Sequence, residues 1–282
     1  MLKQVNYQDR AVDELVEKVI RLLNASGQRK RLVFKAPTGS GKTVMASGML
    51  ARLAQELPER TDSLVNRVAF IWIAPNKLHE QSYFKMKNYF TESRLLKPVV
   101  YDELDQSIDG YIRPGEILFV NWESINKDNA LMIRETERSA SLYDITDRTQ
   151  LDNRIPIVVI VDEEHMFSGK NAKKSEKVLA RINPKLEIRI SATPISQGDE
   201  MVTVYREDVV KEEMIKESIV LNPALNPGDD SLTETLIREA LAKRNEIAQA
   251  YNSLNININP LLLIQLPNDT NEANTAEDTR IK

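Results

Sequence analysis

Two short stretches carry residue types suited to work on phosphate. The first is Ala36-Pro37-Thr38-Gly39-Ser40-Gly41-Lys42-Thr43. The run Arg31 to Lys35 before it is short and apolar enough for a strand, and Val44 to Leu53 after it has helical spacing. A strand, a glycine loop and a helix in that order make a phosphate cradle. Gly39 and Gly41 let the backbone turn its N–H groups inward, and the helix starting near Lys42 adds its positive end. Lys42 is a mobile charge for the β- and γ-phosphates, and Thr43 offers a hydroxyl to Mg²⁺. Pro37, Thr38, Gly39, Ser40, Gly41, Lys42 and Thr43 are therefore expected to hold ATP. Ala36 departs from the general pattern, which has glycine there, and the competing reading is a turn that merely ends a strand.

The second stretch is Asp162-Glu163-Glu164-His165, directly after the aliphatic run Ile157 to Val161. The carboxyl end of such a strand is where ligands bind in an open α/β sheet. Asp162 can hold Mg²⁺ beside the γ-phosphate, and Glu163 can orient and deprotonate the attacking water. The alternative is a solvated acidic turn. Two hydroxyls, on Ser191 and Thr193, follow the next strand and can bond to His165 or Glu163, relaying the state of the nucleotide. A capping turn before Pro194 competes with that reading.

Near the start, Tyr7 and Gln8 precede a helix. A glutamine amide donates to and accepts from an adenine edge, and a tyrosine can stack on the base. Asn76 and Lys77 after one strand, and Asn121 and Trp122 after another, are candidates for polynucleotide contact. The plain alternatives are a core aromatic for Trp122 and a solvated helix residue for Lys77.

These residues need a scaffold, and the chain spells one. A helix is expected over Ala11–Leu23, with Val12, Leu15, Val19 and Leu22 on one face. Val68–Ala74 reads as a strand buried on both faces, Lys77–Phe90 as a helix, and Pro98–Tyr101 and Glu116–Asn121 as strands. Lys127–Arg154 reads as a projecting helix and loop, whose Arg134, Arg138 and Arg148 either touch DNA or are surface charge. Ala172–Ile182 and Val209–Ile215 read as helices, Leu186–Ile190 as a strand and Glu217–Leu221 as extended. Strands alternating with helices indicate a mainly parallel α/β sheet sandwiched by helices. Asn222–Asp230 has a linker composition, Leu232–Leu254 is a long charged helix, and Pro260–Leu266 reads as one buried strand with no sheet around it. Asn268–Lys282 is polar and expected to be disordered. The expected division is 1–221, 222–256 and 257–282.

The 282 residues suit one large or two smaller domains, and a formal charge of −4 argues against a generally basic nucleic-acid coat. With no cysteine and only His79 and His165, thiol nucleophiles, disulfides and cysteine- or histidine-rich metal sites are excluded. No signal segment or membrane-length apolar run is evident, so the expected location is the cytoplasm, away from membranes.

The motifs Ala36–Thr43, Asp162–His165 and Ser191–Thr193, in that order, resemble those of superfamily 2 (DEAD/DEAH-box) helicases and translocases, where alanine in place of the first loop glycine is usual. Phe70–Ser82, Phe119–Lys127 and Pro260–Pro267 narrow the resemblance to the Res subunit of type III restriction–modification enzymes. The resemblance implies the first RecA-like lobe of an ATP-driven motor on DNA, with a modification methyltransferase subunit as partner. It also implies a second RecA-like lobe supplying arginine fingers, of which Pro260–Leu266 would be the first strand and the rest is not in this chain. The lobe alone is then expected to be a weak ATP hydrolase, since an arginine finger contributes ~10³–10⁵ in rate. An RNA helicase, or a nucleotide-gated switch in a defence complex that never translocates, shares these motifs.

Overall fold

The computed structural model describes residues 5–61, 63–105, 110–125, 141–167, 172–218 and 232–264. By packing it divides into two units, Met1–Glu217 and Ser218–Lys282. The first is built on seven parallel strands: β1 (Lys30–Lys35), β2 (Ala69–Ala74), β3 (Lys97–Val100), β4 (Glu116–Asn121), β5 (Ile157–Asp162), β6 (Leu186–Ser191) and β7 (Glu200–Thr203), in the spatial order β3-β4-β2-β5-β6-β1-β7. The expected α/β architecture is present. The central strands are apolar on both faces because both faces are covered. One face, with Phe34, Phe70, Trp72, Phe119 and Ile160, packs under α1 (Asn6–Asn24), α2 (Lys42–Glu56) and α3 (Leu78–Tyr89). The other, with Ile71, Ile73, Val120, Val159 and Val161, packs against α5 (Trp122–Ile125), α6 (Leu142–Asp147) and α7 (Ala172–Ile182). Short α4 (Tyr101–Asp105) continues β3.

Parallel pairing decides where the loops go. Lys35 pairs with Ser191, and Asp162 pairs with Ile190, so β1, β6 and β5 end side by side. Ala74 pairs with Asn121, which brings the ends of β2 and β4 together on the same edge. The loops of one sheet edge therefore carry every stretch singled out for chemistry after a strand.

β6 breaks the apolar rule on the α7 face. Glu187 is fully buried and Arg189 nearly so. Glu187 is held by Arg189 at 2.7 Å, Arg29 at 2.9 Å and Arg31 at 3.2 Å, and Glu176 on α7 meets Arg189 at 2.6 Å. Burial pushes the Arg189 guanidinium down, but Glu187 and Glu176 more than offset this and hold it above its usual range.

Several expectations need correction. Val209–Ile215 is helical only early, as α8 (Arg206–Lys211), and residues after it turn back, with Glu213 at φ 58°. β7 has no alternating pattern to betray it, being four residues with an exposed Met201. Between Arg148 and Asp152 the chain forms a π-helical turn continuing α6, and Arg148 starts it. In the second unit, α9 (Leu232–Ser253) is present, but Pro260–Ile264 forms no strand, and Leu261 and Leu263 are 90% and 91% exposed. A strand needs a neighbour for its N–H and C=O groups, and no described residue supplies one there. Instead Arg244 on α9 donates to the Pro260 carbonyl at 3.0 Å. The expectations for Arg134, Arg138, residues 219–221, the 222–230 linker, the end of the 260–266 run and the 268–282 tail fall outside the described residues.

Removing the carboxylate in Glu187→Ala takes one of two shared carboxylates from Arg29, Arg31 and Arg189, leaving Glu176 as the one all three still meet. Unfolding in urea should show a loss of about 3 kcal/mol.

Candidate nucleotide site

The loop after β1 is shaped by two left-handed residues, Gly39 at φ 85° and Gly41 at φ 87°, the latter immediately before α2. A side chain at Gly41 would collide with the Gln8 amide, 2.5 Å from where its Cβ would stand. The Ser40 amide closes the turn onto the Pro37 carbonyl at 3.2 Å, and Ala36 N–H donates to the Ser191 carbonyl at 3.1 Å, pinning the loop to the end of β6. Pro37, Thr38 and Gly39 stay open to solvent, while Ser40 and Lys42 are buried. The Ser40 hydroxyl is buried with no partner among the described residues.

Tyr7 and Gln8 are the first turn of α1, not a segment before a helix. The Tyr7 hydroxyl donates to the Ser40 carbonyl at 2.7 Å, and Gln8 Nε2 donates to the same oxygen at 2.9 Å. This corrects two expectations. Tyr7 is buried beneath the loop and presents no face on which a base could stack. Gln8 commits its amide donors to the Ser40 carbonyl at 2.9 Å and, more weakly, the Tyr7 hydroxyl at 3.4 Å, which leaves its Oε1 for a purine amino group.

Across the edge, the acidic turn after β5 faces Lys42. The Lys42 ammonium lies 3.6 Å from Glu163 Oε1. The other oxygen of Glu163 lies 3.3 Å from His165 Nδ1, which is itself 3.1 Å from Ser191 Oγ. Ser191 Oγ in turn accepts from the Thr193 amide at 3.1 Å. Lys42, Glu163, His165 and Ser191 thus form one connected line across three strand ends. Thr193 joins it only through its backbone, and its exposed side chain makes no hydrogen bond among the described residues. Glu163 sits at φ 52°, a left-handed conformation that a non-glycine residue rarely keeps. Such outliers collect at functional sites.

Asp162 accepts from the Glu163 amide at 3.0 Å and is 8% exposed. Burial first, and the neighbouring Glu163 charge second, push its carboxyl up to about 6. The Glu163 amide and Lys42 pull it down, and so, weakly, does the Trp72 indole, whose N–H faces it without closing a full hydrogen bond. A buried carboxylate short of positive charge is suited to a cation. No cluster of three metal-ligating side chains exists among the described residues. Asp162 and the Thr43 hydroxyl, which makes no hydrogen bond among the described residues, fit Mg²⁺ that completes its shell with phosphate and water, since Mg²⁺ seldom uses an all-protein cage.

Glu164 escaped the sequence reading. Its carboxylate is 4% exposed. It accepts from the Ile195 amide at 2.9 Å, the Ser196 amide at 3.1 Å and the Ser196 hydroxyl, and Arg189 lies 3.6 Å away. It clamps the loop after β6 to the acidic turn and roots both in the charged network on β6. No spacing rule could have found it, because its partners are main-chain amides far along the chain.

The polynucleotide candidates divide. The Asn121 amide is engaged at both ends: Nδ2 donates to the Asn76 carbonyl at 2.9 Å, and Oδ1 accepts from the Glu123 amide at 2.8 Å. Glu123 accepts from the Asn76 amide with both oxygens at 3.0 Å. Trp122 is buried in the core and is not a contact residue. Asn76 and Lys77 keep exposed side chains on the rim.

A family model described as "Type III restriction enzyme, res subunit" matches residues 1–196. No curated protein matches the chain. Among solved structures, the chain is similar to the crystal structure of the Pyrococcus furiosus Hef helicase domain, with 13% identity and a TM-score of 0.40 over 74% of this chain and 39% of that one.

Two outcomes follow from the geometry. The Asp162 carboxyl titrates higher folded than unfolded, so its ionisation opposes folding above the folded value and this cost vanishes as pH falls toward the unfolded value near 3.8. In magnesium-free buffer, Asp162→Asn should raise stability by on the order of 3 kcal/mol at neutral pH, with the gain shrinking in thermal melts taken below about pH 5. Glu164→Ala should speed amide hydrogen exchange at Ile195 and Ser196 about tenfold while leaving β2 amides protected.

Proposed function

Because that match spans well over half of the chain, the protein belongs to the type III restriction enzyme res-subunit family, and from that premise we propose that residues 1–221 are the ATP-binding motor lobe of a DNA-dependent translocase. The observation that carries the reading is the meeting of Lys42 and Glu163 at 3.6 Å, from loops far apart in sequence. A lysine parked on a carboxylate next to an open glycine loop is a cation waiting for a γ-phosphate.

In this reading the loop amides of Thr38 to Thr43 bind the phosphates, and Lys42 leaves Glu163 to neutralise them. Glu163, freed, holds the attacking water and takes its proton, and its link to His165 keeps that carboxylate aimed. Thr43 and Asp162 would hold Mg²⁺, which would supply charge neutralisation at the phosphates. Gln8 senses the loop from behind and offers Oε1 to the adenine amino group. His165 and Ser191 report the occupancy of the site to the loop after β6, and Asn76 and Lys77 contact the nucleic-acid backbone. Residues 222–256 serve as linker and connecting helix, and residues from 257 on open a second lobe. Arginine fingers would come from that lobe, and the modification subunit is the expected partner. No helix among the described residues is long and apolar enough to cross a membrane.

One observation favours a second reading. Asn121 and Trp122 are committed to internal contacts, which leaves few open groups for a polynucleotide. A nucleotide-gated switch needs none.

ATP turnover measured with duplex DNA, single-stranded DNA and RNA separates these. The motor reading expects stimulation by DNA that fades steeply with salt. Stimulation by RNA alone transfers the role to RNA, and indifference to both leaves the switch. In each case Lys42→Ala should lower turnover about 10³-fold, since a cation near 4 Å from phosphate is worth roughly 4 kcal/mol at an effective dielectric of about 20.

A further inference from the structure

At the amino ends of β3 and β4, the edge opposite the phosphate loop, a groove of about 620 Å³ opens beside the end of α3. Its apolar lining includes Phe90, Leu95, Leu96 and Pro98. Four cations stand around it: Lys87, Arg94, Lys97 and Arg113. At Arg94, Leu95, Pro114 and Gly115 it adjoins a second cavity of about 200 Å³, whose walls include Leu53, Leu57, Val68 and Phe70. Arg67 lines this second cavity as well.

The charge here runs against that of the whole chain, which is −4. It is also incompletely neutralised. Lys97 meets the buried Glu116 at 3.5 Å and is otherwise exposed. The Lys87 ammonium lies 5.5 Å from the Tyr83 ring centre. Arg94 is exposed, and neither it nor Arg67 meets a carboxylate among the described residues. Unpaired arginines around an apolar floor are the anatomy of a protein-binding patch, in which apolar anchors seat centrally and charge surrounds them.

We propose that this groove docks an extended acidic segment of a partner protein, with one apolar side chain of that segment seated in the second cavity. The chemistry favours a peptide over a nucleic acid. A phosphodiester chain has no aliphatic side chain to seat against Leu53, Leu57 and Val68, which the second cavity offers. The position matters as well. Neither Lys42 nor Asp162 touches the groove, so a partner held there leaves the nucleotide edge open.

The chain has no cysteine, so Asn88→Cys, on the exposed rim of α3, accepts a single environment-sensitive fluorophore. The probe is a short synthetic peptide of glutamates interrupted by one leucine and one phenylalanine. Saturable binding is expected, weakened about tenfold by the pair Arg94→Glu and Lys97→Glu, and weakened again when salt shortens the Debye length from ~10 Å to ~3 Å. A peptide with serine in place of the two apolar residues should bind far more weakly. Where the double variant fails to melt like the parent, Arg94→Ser carries the same comparison. Absence of saturable binding, indifference to charge reversal, equal binding of the serine peptide, or displacement by single-stranded DNA or inorganic polyphosphate would each overturn the proposal.

Discussion

Parallel pairing of β1, β6 and β5 forces their carboxyl ends onto one edge, and the charges placed there must then balance one another at close range. Lys42 arrives from the first helix after the phosphate loop, and Asp162 and Glu163 arrive from the fifth strand. The lysine and Glu163 satisfy each other, while Asp162 is left buried and short of compensation. That imbalance is what makes the edge a site. A sheet of the same composition with an antiparallel β5 would send the acidic turn to the far side of the molecule.

The second feature of the site is rigidity without bulk. Three main-chain and side-chain links tie the phosphate loop, the acidic turn and the loop after β6 into one body: Ala36 to Ser191, His165 to Ser191, and Glu164 to Ile195 and Ser196. Behind them, the charged cluster of Glu187, Arg189, Arg29, Arg31 and Glu176 occupies a face that apolar residues fill elsewhere. A buried ion cluster of this kind contributes little net stability, but it tolerates few alternative arrangements.

Much of this was legible in the sequence, and the failures share a cause. Strands β2 and β5 announce themselves by unbroken apolar runs, and the phosphate loop by glycines between a strand and a helix. The convergence of Lys42 with Glu163 follows once the sheet is parallel. What the residues did not disclose were partners chosen by tertiary geometry. Tyr7 looked like an aromatic offered to a base, yet its hydroxyl supports Ser40 from below. Asn121 looked like a phosphate ligand, yet both ends of its amide hold the neighbouring turn. Glu164 read as one more acid in an acidic turn, and nothing in the strand Leu186–Ile190 marked Glu187 and Arg189 as a buried ion cluster. A polar side chain states what it can bond to, but only the fold states which groups come within reach.

The central claim is that the phosphate loop and the acidic turn act on the same triphosphate. Crystals grown with magnesium and a non-hydrolysable ATP analogue test it most directly. The account expects the β- and γ-phosphates along Thr38 to Thr43, Lys42 drawn off Glu163 onto phosphate, and the metal shared by Thr43 and Asp162. A nucleotide bound away from that loop, or one bound with Lys42 still paired to Glu163 and Asp162 remote from the metal, would contradict it.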